Sequence, residues 1–239
     1  SNKLHSYRGR VFIRVGASNK PLSVHEIIEK AAESLFFYFD ELPSRAKVED
    51  INMDYVKMYL KRREEIRGVQ TRGELLDNMK RLKIIVRKND EFVPSNGGLL
   101  FFSDKVNEYL PNAKVRLVWF KDDEMREYID SREFEGPIWK IVEDVYDYFI
   151  KHLKRIGGDI VGWRRIEMYE YPLRALREAV INAVTHRNYV DPGHIQIFIF
   201  PNRIIIRNPG GFPPGVTIEE PIHKPRNPLL SQYMYDMGY

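Results

Sequence analysis

The sequence predicts an α+β fold, and three observations carry that prediction. Apolar residues recur at helical spacing in 23–37, 138–155 and 172–189, while 115–120, 195–200 and 204–207 are short apolar runs of strand length. Helical patterns dominate the first half and the second mixes helical and strand patterns, the arrangement of a helical N-terminal half and a C-terminal helix-on-sheet sandwich. At 239 residues the chain can bury one large core or two to three small ones.

Each element has a local cause. Ser23-Val-His-Glu26 is a capping box, in which Ser23 receives the helix amides and Glu26 reaches back. It opens a helix to about residue 37 with Ile27, Ile28, Ala31 and Leu35 inward, and Leu42-Pro43-Ser44 breaks the run. Asn52 or Asp54 starts a second helix to about Ile66, and Thr71 is placed to cap a third over 72–82. Ile84-Ile-Val86 and Glu91-Phe-Val93 flank the turn signal Lys88-Asn89-Asp90. Helices followed by a small basic hairpin give the outline of a winged helix. Farther on, 115–120 reads as a buried strand, and Gly136-Pro137 opens a helix to about Arg155 with Ile138, Ile141, Val142, Val145, Tyr148 and Phe149 on one stripe. Gly157-Gly158 is expected to end it, 160–170 to be one strand, and Pro172 to open the next helix.

Composition narrows the function classes. Hydrophobic content of 43% and charged content of 30% are those of a globular chain, and no apolar run is long enough to span a bilayer, so a cytoplasmic location without a membrane partner is expected. The absence of cysteine removes disulfides, thiolate zinc sites and thiol catalysis. No Gly-x-x-x-x-Gly-Lys-[Ser/Thr] phosphate loop occurs, so a helicase motor is excluded, and neither Gly-x-Ser-x-Gly nor His-Glu-x-x-His is present. The net charge of +4 is unevenly spread: residues 57–88 hold eleven Lys or Arg against four acids. Arg62, Arg63, Arg72, Arg81 and Lys83 are the candidate nucleic-acid contacts there, with Asn78 a candidate adenine reader, and DNA is the expected partner.

The richest segments lie near the C-terminus. In Arg177-Glu-Ala-Val-Ile-Asn-Ala-Val-Thr-His-Arg-Asn-Tyr189, a period of 3.6 gathers Glu178, Asn182, Thr185, His186 and Tyr189 on one side. Leu173, Leu176, Val180, Ala183 and Val184 fall on the other. Asn is disfavoured inside a helix, so Asn182 calls for a reason. A hairpin turning at Pro201-Asn202 follows, and it ends in Asn208-Pro209-Gly210-Gly211, where glycine lets backbone approach a ligand.

These segments resemble the family labelled RecG-type helicases or Schlafen AlbA-domain transcriptional regulators, whose C-terminal module is similar to a divergent GHKL ATPase. That resemblance implies an ATP site with magnesium: Asn182 as the magnesium residue, Glu178 as the candidate catalytic base, and Asn208 at the adenine contact with Gly210 and Gly211 beside it. His186 near a phosphate, and Arg226 and Asn227 of the Arg-Asn-Pro element, complete the set. The chain departs from the pattern in three places: Asn208 replaces an acidic residue, Phe212 a glycine, and Thr185 an acid that often follows the magnesium Asn. The later glycine-rich segment that wraps the phosphates in that family is missing, because the chain stops at Met237-Gly238-Tyr239. Residues 7–19 resemble the closing strand of an AlbA-type Schlafen domain, Ser95-Asn-Gly-Gly-Leu-Leu-Phe-Phe is also family-like, and the initial Ser-Asn reads as a cloning remnant.

The resulting organisation is a truncated AlbA-type strand at 1–20, a helical, winged-helix-like region at 21–98, an α/β connection at 99–168, and a GHKL-like nucleotide module at 169–239, trimmed before its lid. The expected function is that of a DNA-associated transcriptional regulator switched by nucleotide. The alternatives are a DNA-binding or scaffold protein with a degenerate nucleotide fold, and a slow ATPase completed by residues outside the chain. A homo-oligomer stays open.

Overall fold

The computed structural model describes residues 4–7, 10–15, 18–24, 26–27, 38–161, 164–211 and 225–239. Its architecture is α+β. The N-terminal segment forms three short antiparallel strands, β1 (Leu4–Tyr7), β2 (Arg10–Val15) and β3 (Ser18–Pro21), rather than the one closing strand expected. The Ser23–Glu26 capping box is formed, with Ser23 N donating to Glu26 Oε2 at 2.8 Å and Glu26 N to Ser23 Oγ at 3.2 Å. Most of the helix it was expected to open lies outside the described residues.

Helix α1 (Met53–Arg67) is capped by Asn52, whose side chain accepts from Asp54 N at 3.0 Å. Helix α2 (Leu75–Arg81) starts three residues later than the sequence suggested and is not capped by Thr71. Gly73 holds φ +82, which no helix interior contains, so the helix begins only after it. Asn89 at φ +55 makes the tight turn between β4 (Ile85–Lys88) and β5 (Glu91–Pro94).

Helix α3 (Asn96–Phe102) is capped by Ser95, which accepts from Gly98 N at 2.8 Å. A Cβ on Gly98 would lie 2.1 Å from the Ile84 carbonyl oxygen, so glycine is needed where this helix seats against the strand entry. A short turn, α4 (Val106–Tyr109), leads to β6 (Val115–Phe120), β7 (Tyr128–Phe134) and α5 (Ile138–His152). Helix α5 stops at His152; Gly157 and Gly158 do not end it but pair within β8 (Arg155–Val161), opposite β9 (Arg164–Tyr169). The expected single strand is therefore a hairpin.

Helix α6 (Leu173–His186), β10 (Ile195–Ile199) and β11 (Ile204–Arg207) follow the sequence reading closely, and α7 (Pro228–Met237) closes the chain. One four-stranded sheet in the order β11-β10-β6-β7 is antiparallel except where β10 runs parallel to β6. It thus draws two strands from 99–168 and two from 169–239. Val115, Leu117, Ile195, Ile197 and Ile199 on its inner face join Val142, Val145, Phe149, Val180 and Val184 of α5 and α6 in one core. That core continues into α1, α3 and α7, where the Tyr59, Phe101, Phe102 and Tyr233 rings meet with centroids 4.9–6.0 Å apart.

Asp40 is wholly buried at the start of α7. Its Oδ2 accepts from Leu230 N at 3.0 Å and its Oδ1 has no partner. Burial pushes this carboxyl up to about 7, against the pull of the backbone bond from Leu230. Because the folded state holds the proton more tightly than the unfolded chain, stability from this group is greatest below about pH 4 and declines until about pH 7. Asp40→Asn should remove that component, flattening the fall in unfolding free energy between about pH 4 and 7 by a few kcal/mol, since tenfold in proton affinity is about 1.4 kcal/mol. An identical pH profile for wild type and variant would contradict the assignment.

Candidate functional site

The polar stripe of α6 is narrower than its helical wheel. Glu178 and Asn182 are exposed on one face, with Asn182 Nδ2 donating to Glu178 Oε1 at 3.3 Å. His186, the last residue of the helix, is half-buried. Thr185, by contrast, is buried, and Tyr189 lies past the helix end with its hydroxyl donating to Val184 O at 2.7 Å and its ring stacked on Phe39 at 6.0 Å. The wheel fails here because the last turn of α6 is covered by the residues that lead into α7, so its far stripe is enclosed.

The C-terminal motif residues converge on that covered turn. At the end of β11, Asn208 Nδ2 donates to Ala183 O at 3.0 Å. This bond places the side chain against the residue next to Asn182 and leaves its amide oxygen as the acceptor. Gly210 adopts φ +92, and a Cβ there would meet the Cβ of Asn188 at 2.7 Å, so the turn after β11 needs glycine on two counts. Asn188 N also donates to Pro209 O at 3.2 Å.

Arg226 and Asn227 bind the same turn from the other side. An Arg226 guanidinium nitrogen donates to Gly211 O at 2.8 Å. Asn227, fully buried, donates its Nδ2 to Thr185 O at 2.8 Å and Arg187 O at 2.9 Å. These carbonyls belong to the frayed end of α6, where no intrahelical amide remains to satisfy them. Asn208, Gly210, Gly211, Arg226 and Asn227 are therefore gathered round the last turn of α6, the helix that carries Glu178, Asn182 and His186.

Two residues of this constellation escaped the sequence reading as site residues. Arg187 is buried and donates to the carbonyls of Asp191 (3.2 Å) and Gly193, with its Cζ 4.7 Å from the Tyr189 ring centroid; desolvation lowers its pKa from the ordinary value. Asn188 carries the contact with Gly210. Both follow the helix end in the quoted motif, and a charged or amide residue just past a helix C-terminus was the available signal.

The oxygens on this surface suit a hard cation. The Nδ2 of Asn182 is turned to Glu178, which leaves its amide oxygen outward, and magnesium takes one or two protein oxygens together with phosphates and water. Among the described residues no group of three His, Asp or Glu could hold a metal alone, so any magnesium here would share its shell with a phosphate ligand.

The candidate nucleic-acid residues are dispersed. Arg62 Nε donates to Met237 O at 3.2 Å, and Arg63 Nε to the buried Asp236 carboxylate at 3.0 Å, so both grip the end of α7. Arg81 bonds Asn78 Oδ1, while Asn78 is buried with its Nδ2 on the carbonyls of Arg72, Gly73 and Glu74, which withdraws it from base reading. Lys83 pairs with Glu41 at 3.0 Å, and Arg72 is exposed. No helix among the described residues is long and apolar enough to cross a membrane.

Comparison with known proteins bears on the last part of the chain. Residues 193–239 match the family described as "Putative ATP-dependent DNA helicase recG C-terminal". The match takes in Asn208, Gly210, Gly211, Arg226 and Asn227, and not α6. A search of curated proteins returns no match. Among solved structures, the DIP2311 protein of Corynebacterium diphtheriae superposes with a TM-score of 0.62 at 20% identity, over 96% of this chain and 45% of that one. That likeness concerns the α+β fold, and this chain spans less than half of the protein it resembles.

Proposed function

We propose that the chain binds ATP with magnesium on the surface formed by α6 and the turn after β11, as the nucleotide switch of a DNA-associated transcriptional regulator. The observation that carries the reading is convergence. Asn208, Gly211, Arg226 and Asn227, all within the matched stretch, are bonded to one another's segments and to the end of the helix that presents Asn182. In this reading Asn208 Oδ1 accepts from the adenine amino group, Asn182 Oδ1 takes a magnesium position, and Gly210 lets the base approach the backbone. Bound magnesium supplies charge neutralisation for the phosphates. Glu178, adjacent to Asn182, is the residue positioned to orient water if the nucleotide is hydrolysed.

The DNA component rests on the cations that remain exposed around α1, α2 and the β4–β5 hairpin. Lys57, Lys61 and Arg87 side chains are 64, 79 and 68% accessible; Lys57 and Lys61 pair with Asp54 and Glu65 on their own helix, Arg87 pairs with Asp90 and donates to Asn89 O in its hairpin turn, and such surface pairs yield readily to phosphate.

Thermal-shift titration tests the nucleotide assignment, since a ligand bound only by the folded state raises the midpoint by mass action. Asn182→Ala should abolish the magnesium-dependent part of the ATP shift and leave the unliganded midpoint within about 1 °C, as expected for an exposed position. Asn208→Ala should weaken ATP and ADP alike, by about tenfold for a lost hydrogen bond to the base. Loss of ATP alone would place Asn208 at the phosphates and contradict the adenine role.

A further inference from the structure

The four-stranded sheet has a second face. Val115, Leu117, Ile195, Ile197 and Ile199 point into the core; the residues between them point the opposite way, and of these Val118 is buried while Arg116 is exposed and Gln196 and Phe198 are half-buried. Register aligns them in rows. Arg116 on β6 lies beside Gln196 on β10, which lies beside Arg207 on β11. Two residues along, Val118, Phe198 and Ile205 form the next row, and Phe120 faces Tyr128 on β7 beyond it. The Phe198 and Phe120 rings are 5.8 Å apart and both half-buried; Phe120 is itself stacked at 5.3 Å on the buried Phe200, and Tyr128 is 66% exposed.

The polar row is unspent. Arg116, Gln196 and Arg207 make no side-chain hydrogen bond or ion pair with any described residue, and the two arginines are exposed. The acid nearest to Arg116, Glu133 on β7, is already held by Lys114 at 2.6 Å. A depression of about 260 Å³ opens beside the row between Asp191, His194, Gln196 and Arg207, and His194 Nε2 is buried there without a partner. Arg207 Cζ stands 5.3 Å from the Phe198 centroid, so the cationic row adjoins the aromatic one.

We propose that this outer sheet face binds single-stranded nucleic acid, with backbone phosphates at Arg116 and Arg207 and a base stacked on Phe198. Stacking needs a base whose face is free, which a single strand offers and a duplex does not. A second copy of the chain is a poor occupant: in a two-fold contact the patch meets itself, and Arg116 and Arg207 would face the same cations unpaired. The surface is separate from the α1–hairpin cations; its depression borders the α6 constellation, since Asn208 and Pro209 also line it.

Fluorescence anisotropy with a labelled oligothymidylate, a duplex of equal length and inorganic phosphate as competitor, each at several salt concentrations, tests the assignment. The single strand should bind more tightly than the duplex. The Arg116→Ala, Arg207→Ala double variant should weaken binding at least tenfold and lower the salt slope by about 1.4, at about 0.7 per phosphate contact. Phe198→Leu should weaken binding about tenfold with the slope unchanged, the mark of lost stacking. Should the double variant melt early, Arg116→Gln and Arg207→Gln singly should each lower the slope by about 0.7. Equal duplex affinity, unchanged slopes, or displacement of the strand by low inorganic phosphate would each overturn the proposal. So would self-association that the same substitutions abolish.

Discussion

Asn227→Ala should be the most disruptive small substitution near the α6 turn, destabilising the fold by about 3 kcal/mol or more. The side chain is fully buried and its Nδ2 serves two carbonyls, those of Thr185 and Arg187, at 2.8 and 2.9 Å. Truncation strands both acceptors without water, at a cost of about 1–3 kcal/mol for each buried group left unsatisfied. Asn227→Asp should not rescue, because a carboxylate has no N–H to give and would bring an unpaired charge into the same space. Chemical denaturation of the three proteins measures this. Variants within about 0.5 kcal/mol of wild type would mean that Asn227 does not hold the end of α6.

Arg63→Ala should cost about 3–5 kcal/mol, the range for breaking a buried ion pair from one side. Asp236 is 3% exposed and accepts from Arg63 Nε at 3.0 Å and from the Tyr59 hydroxyl at 2.5 Å, with Gln232 Nε2 on its other oxygen at 2.8 Å. Burial and that bond together push the Tyr59 hydroxyl pKa upward, so the phenol stays the donor. Removing Arg63 leaves the carboxylate without its cation. The substitution separates two roles for one residue: a phosphate contact would lower DNA affinity and the salt slope at constant stability, whereas a buried partner of Asp236 lowers stability. A loss of DNA affinity with an unchanged denaturation midpoint would contradict the second role.

Arg63 also shows where sequence reasoning stops. Its partner lies 173 positions away, and nothing in the local pattern of 57–88 distinguishes an arginine facing solvent from one turned to the end of another helix. Elements set by neighbours along the chain were legible: α6 from its apolar stripe, β10 and β11 from alternation and the Pro201-Asn202 turn, and α1 from the Asn52 cap. Strand β7 was not, because Tyr-Ile-Asp-Ser-Arg-Glu-Phe lies at a sheet edge and is largely exposed on both faces, so no apolar alternation marks it. Helix α7 was hidden behind the turn signal of Asn227-Pro228, where proline begins the helix. Gly157 and Gly158 suggested a helix end and proved to be strand residues.

The same division runs through the candidate site. Asn182, Asn208, Gly210 and Asn227 were visible as residue types whose placement in helix, strand end or turn asks for a reason. That Thr185 would be enclosed, and that Asn188 would seat against Gly210, depends on how the turn after β11 and the start of α7 close over α6, which only the tertiary arrangement decides.

Photolabelling with 8-azido-ATP and magnesium, followed by peptide mapping, tests the nucleotide site most directly, because it reports location and not affinity alone. The label should fall on the peptide containing Asn208 to Gly211, be blocked by ATP and ADP, and diminish in Asn208→Ala. Labelling confined to the α1–hairpin segment, or labelling of Asn208→Ala equal to wild type and indifferent to competing ATP, would contradict the assignment.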